Sequence, residues 1–401
     1  MSVAELPAKS SVPIAPDRFI VASATAAIAS ATLSVGLLVD WRQSILLVLG
    51  VALGIALFHA NFGFTGGWRA LVTQGRSAGL RAQMLAIGLA TLFVLPLTSI
   101  GSAFDLPLTG AEGPIGVSLI VGSLMFGIGM QLGGGCGSGT LFTVGGGNSR
   151  MLVTLLFFIV GAVFGTRDLP WWADLPSIGV IRLDQVVGVG PAILLTVTAL
   201  ALVATAGAAV EQRWRGSIEP LTRADDHQPN SERLLQGRWP LAWGAVALAG
   251  LSVLVLLVSG HPWSITFAFN LWGAKIISAL GVDVAGWTFW TWPMPAQALA
   301  SPVLAETTTV TDLGIILGAL LASGLAGTFQ PEARTPYGSL IAAVVGGLLM
   351  GYGARLAFGC NVGALFSGIA SGSLHGWVWF ATAFIGSVIG IRLRPLFGLA
   401  Q

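Results

Sequence analysis

Charge is scarce in this sequence. Only 9% of the 401 residues are charged, whereas an ordinary soluble domain has about 25%. The mean hydropathy of +0.84 excludes a water-soluble globule, because most of so much apolar surface would stay exposed. The 19 basic and 17 acidic residues nearly balance, which argues against a nucleic acid as partner. Two cysteines are too few for the disulfide framework of a small secreted domain.

The sequence has instead a series of apolar runs about 17–25 residues long, enough for helices that cross about 30 Å of hydrocarbon. They lack the alternating short segments of an outer-membrane barrel. The sequence therefore predicts an all-α polytopic membrane protein with about ten transmembrane helices. The predicted spans are residues 18–39, 43–60, 82–100, 115–132, 149–166, 185–210, 239–259, 307–327, 338–357 and 374–391.

Residues 262–305 have a different composition, with five tryptophans and four prolines. Tryptophan favours the boundary between membrane and water, and proline interrupts helices. We predict short or interfacial helices in this segment, with one further crossing as the alternative.

Residues 211–238 contain ten charged positions out of 28, five of each sign. They predict a solvated linker. The chain then divides into an N-terminal tail and extra helix (1–42), a first transmembrane repeat (43–210), the linker, and a second transmembrane repeat (239–401). By the positive-inside rule, we predict that both termini and the linker face the cytoplasm. The 14 basic residues that then lie inside are Lys9, Arg18, Arg69, Arg76, Arg81, Arg150, Arg213, Arg215, Arg223, Arg233, Arg238, Arg334, Arg392 and Arg394.

The two halves contain one motif twice. A shift of 224 residues places 127–142 (GIGMQLGGGCGSGTLF) on 351–366 (GYGARLAFGCNVGALF), and eight of the sixteen positions are identical. The two cysteines of the chain, Cys136 and Cys360, then coincide. Because the first repeat contains five predicted spans, the second begins on the opposite side of the membrane. This predicts an inverted-topology repeat with a site near the midplane.

Glycines surround both cysteines, and residues 133–139 contain five of them. Such a stretch does not continue a stable helix, and irregular backbone at membrane depth is tolerated only within protein or beside a polar cavity. We therefore predict two re-entrant loops, each with a bend at the cysteine and a short helix that starts near Ser138 or Asn361. The free N–H groups of a helix N-terminus form an anion site, and a soft thiol suits a small sulfur-containing anion.

Arg355 lies five residues before Cys360 in an apolar span. An intramembrane arginine is a functional candidate because burial of its charge is unfavourable; snorkelling to the interface is the alternative. The candidate substrate-binding residues are Cys136, Cys360, Arg355, Gly135, Gly359, Gly137 and Asn361. Spacings for a metal site, a cofactor or a catalytic group are not found, so no enzyme is predicted. We expect the spans to contain no acidic residue, which weakens a conventional proton relay.

The motifs LGGGCGSGTL (132–141) and GxGARLAFGCNxGA (351–364) resemble those of the YeeE/YedE family of bacterial inner-membrane sulfur-transport proteins. Residues 262–266 (PWSIT) and 270–273 (NLWG) are similar to the family's loop after the first helix of the second repeat. The resemblance covers most of residues 43–394.

The resemblance implies an hourglass-shaped transporter whose re-entrant loops meet at its centre. By motif position, Cys136 and Cys360 would hold thiosulfate through S–H···S hydrogen bonds and pass it inward. Many family members have a further cysteine where this chain has Gly63, which puts a relay of three thiols in doubt. The resemblance also implies a cytosolic sulfur-carrier partner of the TusA type, and some branches of the family are associated with selenium.

The leading hypothesis is import of a small sulfur-containing anion, thiosulfate first, with Cys136 and Cys360 as reversible thiol stations. One alternative is a membrane thiol–disulfide redox protein that uses the same pair, although the C-x-x-C motif usual in such proteins is missing. Another is a transporter of a selenium compound or of another sulfur species. The sequence does not distinguish a channel from alternating access.

Overall fold

The computed structural model describes residues 15–222, 230–329, 331 and 335–400. Lys9, Arg223 and Arg334, which contribute to the predicted orientation, lie outside the described residues, and so does part of the predicted linker. The described chain is nearly all helical, apart from one antiparallel hairpin of two short strands, β1 and β2.

The elements follow one another along the chain in two groups. In the N-terminal half they are α1 (Arg18–Leu38), α2 (Trp41–His59), α3 (Phe64–Gln74), α4 (Ala78–Ile100), β1 (Ser102–Ala103), β2 (Leu106–Pro107), α5 (Val117–Gly133), α6 (Gly137–Gly145), α7 (Ser149–Ala173), α8 (Leu183–Val187) and α9 (Val189–Arg215). In the C-terminal half they are α10 (Asn230–Gln236), α11 (Leu241–Ser259), α12 (Thr266–Ala279), α13 (Thr288–Thr291), α14 (Pro293–Ala300), η1 (Val303–Ala305), α15 (Thr307–Leu325), α16 (Tyr337–Leu356), η2 (Asn361–Ser367), α17 (Gly368–Ala370), α18 (Leu374–Leu393) and η3 (Arg394–Phe397).

Ten helical segments of the described chain are long and apolar enough to cross a membrane, and each overlaps one predicted span. The protein is therefore an all-α multi-pass membrane protein, as predicted. Burial divides the helices: 67% of the apolar window of α15 is buried, against 11% for α1 and 17% for α9. Helix α15 thus lies at the centre of the bundle, whereas α1 and α9 pack on its periphery.

The tryptophan-rich segment 262–305 forms short helices. The longest of them in the described residues is α12, with 14 residues, which is shorter than a membrane crossing. Proline sets the boundaries here, because Pro293 occupies the first turn of α14 and Pro302 is the N-cap of η1. The prediction of short helices is confirmed.

Glycines bring the central helices into backbone contact. A Cβ atom at Gly127 of α5 would collide with the carbonyl oxygen of Ala383 on α18, and one at Gly351 of α16 with that of Phe158 on α7. Small residues allow such close approach, which supplies packing energy in a membrane where apolar burial does not. Gly127 and Gly351 are among the positions that coincide when the chain is shifted by 224 residues.

The ends of the described chain lie on one side of the bundle. The N–H of Asp17, before α1, donates to Gly324 near the end of α15, and Gly338 at the start of α16 contacts Phe397 at the end of η3. The linker helix α10 also packs on α15, so we call this side the linker side. The opposite side is the hairpin side, where Thr109, after β2, donates to the Gly260 carbonyl. Which side faces the cytoplasm stays a prediction.

Candidate functional site

The first cysteine loop follows α5. That helix ends at Gly133, and Gly134 has a φ of 91°, a left-handed conformation that glycine adopts with least strain. Cys136 is the N-cap of α6, and its Sγ lies 3.4 Å from Ser138 Oγ. The break in the helix is present where it is predicted, and the short helix begins at Gly137.

Two buried arginines hold the end of α5. Arg150 donates to the carbonyl oxygens of Leu132 at 2.6 Å and Gly133 at 2.8 Å, and Arg394 donates to that of Gln131 at 2.6 Å. The last carbonyls of a helix have no partner within it, and charged donors make stronger bonds to them than neutral donors. The sequence analysis counts both arginines only as cations on one side and misses this role.

The second cysteine loop follows α16, which ends at Leu356. Gly359 has a φ of 149°, which side chains rarely adopt. Cys360 is the N-cap of η2, a π-helix, and its Sγ accepts a hydrogen bond from the Val362 N–H at 3.4 Å. The short helix begins at Asn361, as predicted; its π geometry, which often occurs at functional sites, is not predicted from the sequence.

The two bends have the same backbone contact. A Cβ atom at Gly135 would lie 3.0 Å from the carbonyl carbon of Gly139, and one at Gly359 would lie 3.1 Å from that of Gly363. In each loop the glycine before the cysteine therefore lets the chain pass closely over the first turn of the short helix. A side chain at either position would displace that turn.

The two loops meet inside the protein. A Cβ atom at Gly137 would lie 3.2 Å from Cys360 Sγ, and one at Gly139 would lie 3.5 Å from Cys136 Sγ. Both sulfurs therefore lie against the first turn of α6. The residues Cys136 and Cys360 are 1% and 0% exposed, and both thiols are free. The structure thus brings three of the predicted site residues, the two cysteines and Gly137, into one closed site.

Two further helices begin at this site. The backbone N–H of Phe64, the first residue of α3, points at the sulfur of Cys136. Ile265, the N-cap of α12, has a methyl carbon 3.3 Å from the position of a Cβ at Gly137. The N-termini of α3, α6, α12 and η2 therefore converge, and a helix N-terminus carries a partial positive charge. The family resemblance implies a thiol position at Gly63, just before α3, whereas the arrival of α12 at the site is not predicted from the sequence.

Buried polar groups adjoin the thiols. Both amide atoms of Asn361, and the hydroxyls of Thr65 on α3 and Thr140 on α6, have no hydrogen-bond partner among the described residues. Buried polar atoms are ordinarily paired, so these groups are available to a polar ligand. Asn361 is among the predicted site residues, whereas Thr65 and Thr140 are not, because threonine inside an apolar run gives no signal of its own.

Arg355 lies apart from this cluster. Its guanidinium carbon is 4.7 Å from the ring centroid of Phe289 on α13, and its Cβ lies against Gly165 of α7. Tyr352, one turn earlier on α16, lines a cavity of ≈ 490 Å³ together with Arg167 near the end of α7. Arg355 therefore packs against α13 and α7 near the hairpin side, and none of the contacts given for the described residues joins it to a thiol.

Asp312 shows that the expectation of spans without acidic residues is wrong. The residue lies in α15, inside the predicted span 307–327, and is 0% exposed. Neither of its carboxyl oxygens has a hydrogen-bond partner among the described residues. The signal was present in the sequence, because an ionisable residue in an apolar span is a functional candidate.

Comparison with known proteins agrees with this geometry. The profile of a family described as sulphur transport matches residues 59–389, which include both cysteine loops and all four converging N-termini. The chain belongs to the sulphur transport family. The resemblance to YeeE/YedE proteins inferred from the two cysteine motifs is thereby confirmed.

Individual members of the sulphur transport family match over different lengths. The chain is 32% identical to the probable transporter YedE of Salmonella typhimurium over 161 residues, which are 40% of this chain and 39% of that protein. It is 26% identical to the thiosulfate transporter TsuA of Spirochaeta thermophila over 350 residues, 83% of this chain and 93% of that protein. It is 23% identical to the thiosulfate transporter TsuA of Escherichia coli over 349 residues, 85% of this chain and 91% of that protein. The matches to YedE thus span about two fifths of those relatives.

Proposed function

We propose that this protein transports a small sulfur-containing anion, with thiosulfate as the substrate to test first. The observation that carries the proposal is that two buried free thiols lie where the N-termini of four helices converge. The names of the two TsuA relatives support thiosulfate as substrate. Cys136 and Cys360 act as successive binding stations.

The chemistry of the site fits an anion that must also be released. Helix N-termini attract negative charge through N–H groups, without a full positive charge at the site. A thiol adds a weak S–H donor and a polarisable sulfur, which match the terminal sulfur of thiosulfate better than a hard phosphate oxygen. Stations of this kind bind weakly enough to release, which conduction requires. Gly135 and Gly359 shape the loops, while Asn361 supplies amide hydrogen bonds.

Passage requires movement of the protein. Both cysteine residues are buried, so a solvated anion reaches them only after neighbouring groups move aside. The proposed cycle therefore opens the site to the hairpin side and then to the linker side. Arg355, near the hairpin side, attracts the anion before it enters.

The proposed direction is import, with the linker side in the cytoplasm of a bacterial cell and the protein in its inner membrane. The excess of basic residues predicted on that side supports this orientation. A cytosolic sulfur carrier of the TusA type, which the family resemblance implies, stays a prediction.

The test is uptake of ³⁵S-thiosulfate by cells that lack their own importers, with the parent protein, Cys136→Ala and Cys360→Ala at matched membrane expression. Ser252→Ala is the matched control, because it removes a buried hydroxyl from α11, away from both cysteine loops, without removing a thiol. We expect uptake by the parent and the control, and background uptake by both cysteine variants. Absence of uptake by an inserted parent protein contradicts thiosulfate as substrate, and selenium analogues, sulfite and sulfide are then tested in the same cells.

A thiol–disulfide redox protein is the second candidate, favoured by the short distance between Cys360 Sγ and the loop of Cys136. It predicts a reversible intramolecular disulfide in the cell, seen as a mobility shift on non-reducing gels that either cysteine variant loses. The transport proposal predicts that uptake persists under reducing conditions. The two measurements on one set of cells separate the candidates.

A further inference from the structure

Asp312 is a buried acid without a hydrogen-bond partner. It is 0% exposed within the span Thr307–Leu325, and both of its oxygens are unpaired among the described residues. Removing a carboxylate from water without a partner is unfavourable by several kcal/mol or more. A residue that keeps such a group inside a membrane span is a functional candidate.

Asp312 lies on the face of α15 that packs against α12 and α6. Thr309, one turn earlier, accepts a hydrogen bond from Trp272 Nε1 of α12 at 3.0 Å. The carbonyl of Ile316, one turn later, contacts Gly145 of α6. Residues three or four apart share a helix face, so Asp312 lies between α12 and α6, two of the helices whose N-termini form the site. It is also within electrostatic range of Cys360.

The surroundings of Asp312 give it no counter-ion. In the described chain, α15 packs against α1, α2, α6, α10, α12 and η1. Glu306 and Cys360 interact electrostatically with Asp312, and both become negative when they ionise. Lys275 of α12 donates instead to the carbonyls of Leu299 and Ser301. The other titratable residues on these elements are Arg18, Arg42, His59, Glu232 and Arg233, and none of the hydrogen bonds or ion pairs of the described residues joins one of them to Asp312.

Glu306 offers a route to the hairpin side. It is half-buried at the start of α15, about 9 Å from Asp312 along the helix at 1.5 Å per residue. Its carboxyl oxygens accept hydrogen bonds from the N–H groups of Thr308 and Thr309 at 2.8 and 2.7 Å. A proton from the hairpin side therefore meets one carboxyl group before it reaches Asp312.

The other half of the protein lacks this acid. Trp68 of α3 donates to Gln83 of α4 at 2.9 Å, as Trp272 of α12 donates to Thr309 of α15. Three residues beyond Gln83 is Ala86, which is buried; three residues beyond Thr309 is Asp312. The acid is therefore present on α15, in the half of the protein that contains α12 and η2. The corresponding position on α4 is Ala86.

We propose that Asp312 is a proton-binding site that couples anion transport to proton entry. A carboxylate on the α15 face that packs against α12 and α6 repels an anion bound where those helices begin, and protonation removes that repulsion. Protonation of Asp312 and anion binding at Cys360 therefore favour each other, as linked equilibria must. One proton enters from the hairpin side with each anion and leaves to the linker side after it. The bonds of the anion stay intact, and the O–H bond of Asp312 forms when the proton binds and breaks when it leaves. This inference rests on the proposed transport function.

The experiment uses purified protein in liposomes that contain the pH dye pyranine, with the membrane potential clamped at zero by potassium and valinomycin. Accumulation of ³⁵S-thiosulfate is measured with equal pH on both sides and with the outside one pH unit more acidic. The variants are Asp312→Asn, Asp312→Glu and, as matched control, the surface variant Asp283→Asn. Binding of thiosulfate to each detergent-purified variant checks that it is folded.

For the parent and Asp283→Asn we expect accumulation to rise by up to about tenfold with the acidic exterior, the limit for one proton per anion, together with interior acidification. Asp312→Asn equilibrates thiosulfate without either response, and Asp312→Glu retains both. An unchanged response in Asp312→Asn, a parent that transports without responding to pH, or stimulation by a sodium gradient in place of a proton gradient overturns the inference. Absence of transport by the parent at every pH overturns the proposed function and this inference with it.

Discussion

The two cysteine loops have the same contact at the glycine before the cysteine but are held in place differently. Guanidinium groups of Arg150 and Arg394 bind the last carbonyls of α5 before Cys136. At the end of α16, before Cys360, the Leu356 carbonyl accepts a hydrogen bond from the hydroxyl of Ser118 at 2.8 Å. The first loop is therefore anchored by charged donors, and the second by a neutral one.

The residue five positions before each cysteine extends the contrast. Gln131 is buried and its amide donates to Ser387 Oγ at 2.7 Å, which ties α5 to α18. Arg355 occupies the corresponding position and contacts Phe289 instead. The second loop also adjoins the unpaired amide of Asn361 and the carboxyl of Asp312. We infer that the first loop is a fixed station, whereas the second is the one whose interactions change during transport.

Replacement of either thiol gives the largest expected effect and tests whether the stations are equivalent. Cys136→Ser and Cys360→Ser retain a donor but lose the polarisable sulfur. We expect each to lower the uptake rate at least about tenfold, equivalent to about 1.4 kcal/mol, measured with ³⁵S-thiosulfate in liposomes. A loss confined to one variant shows that only one thiol is a station and contradicts the paired pathway.

Removal of the anchor of each loop should lower the stability of the protein by different amounts. Arg150→Ala leaves two buried carbonyls without their charged donor and should lower the free energy of unfolding by about 3 kcal/mol, whereas Ser118→Ala removes one neutral hydrogen bond, about 1 kcal/mol. Thermal unfolding of the purified variants in detergent measures both. Equal shifts in the melting temperature would remove the distinction between a charged and a neutral anchor.

The Asn361 amide in the second loop and the Thr140 hydroxyl in the first loop should contribute differently to substrate binding. Asn361→Ala removes an amide from the second station and should raise KM about fivefold to tenfold, because a hydrogen bond to a charged ligand contributes about 1.5 kcal/mol. Thr140→Ala installs in the first loop the alanine found at Ala364, and should change KM less. KM and maximal rate are measured in the same liposomes. A larger effect of Thr140→Ala would assign the changing interactions to the first loop.

Arg355→Gln places in the second half the residue found at Gln131. We expect KM to rise about twofold to threefold at low ionic strength, with little change at high salt, because a charge that attracts an anion from a distance is screened. The control is Arg42→Gln, which alters an arginine stacked on Trp41 far from both loops. A salt-independent loss of maximal rate would instead place Arg355 in the packing of α16 against α7.

Gly63→Cys gives the smallest expected effect. A Cβ atom at Gly63 would lie 4.0 Å from its nearest neighbour, the Gly66 nitrogen, so a side chain fits before α3 without strain. We expect normal expression and an uptake rate increased by less than about twofold, because binding at the two deeper thiols limits passage. Gly66→Cys, in the same helix, is the control. A large loss with Gly63→Cys alone would show that the pathway requires an unobstructed glycine there.

The sequence by itself determined the ten spans, the short helices of 262–305, and a helix break near each cysteine, because hydropathy and helix-breaking residues act over a few neighbouring positions. It also led to the proposal of Cys136, Cys360 and Asn361 as site residues, through a repeated motif and a family resemblance. Asp312 could also be recognised from the sequence alone, because a carboxyl group in an apolar run is a functional candidate.

Only the tertiary structure decided which of these groups meet. The convergence of α3 and α12 on the cysteines, and the binding of α5 by Arg150 and Arg394, join segments far apart in the chain. The position of Arg355 beside Phe289 depends on which face of α16 packs on α7. Such contacts depend on glycine-mediated helix packing between distant segments, and helix pairing of this kind is not encoded in any local pattern.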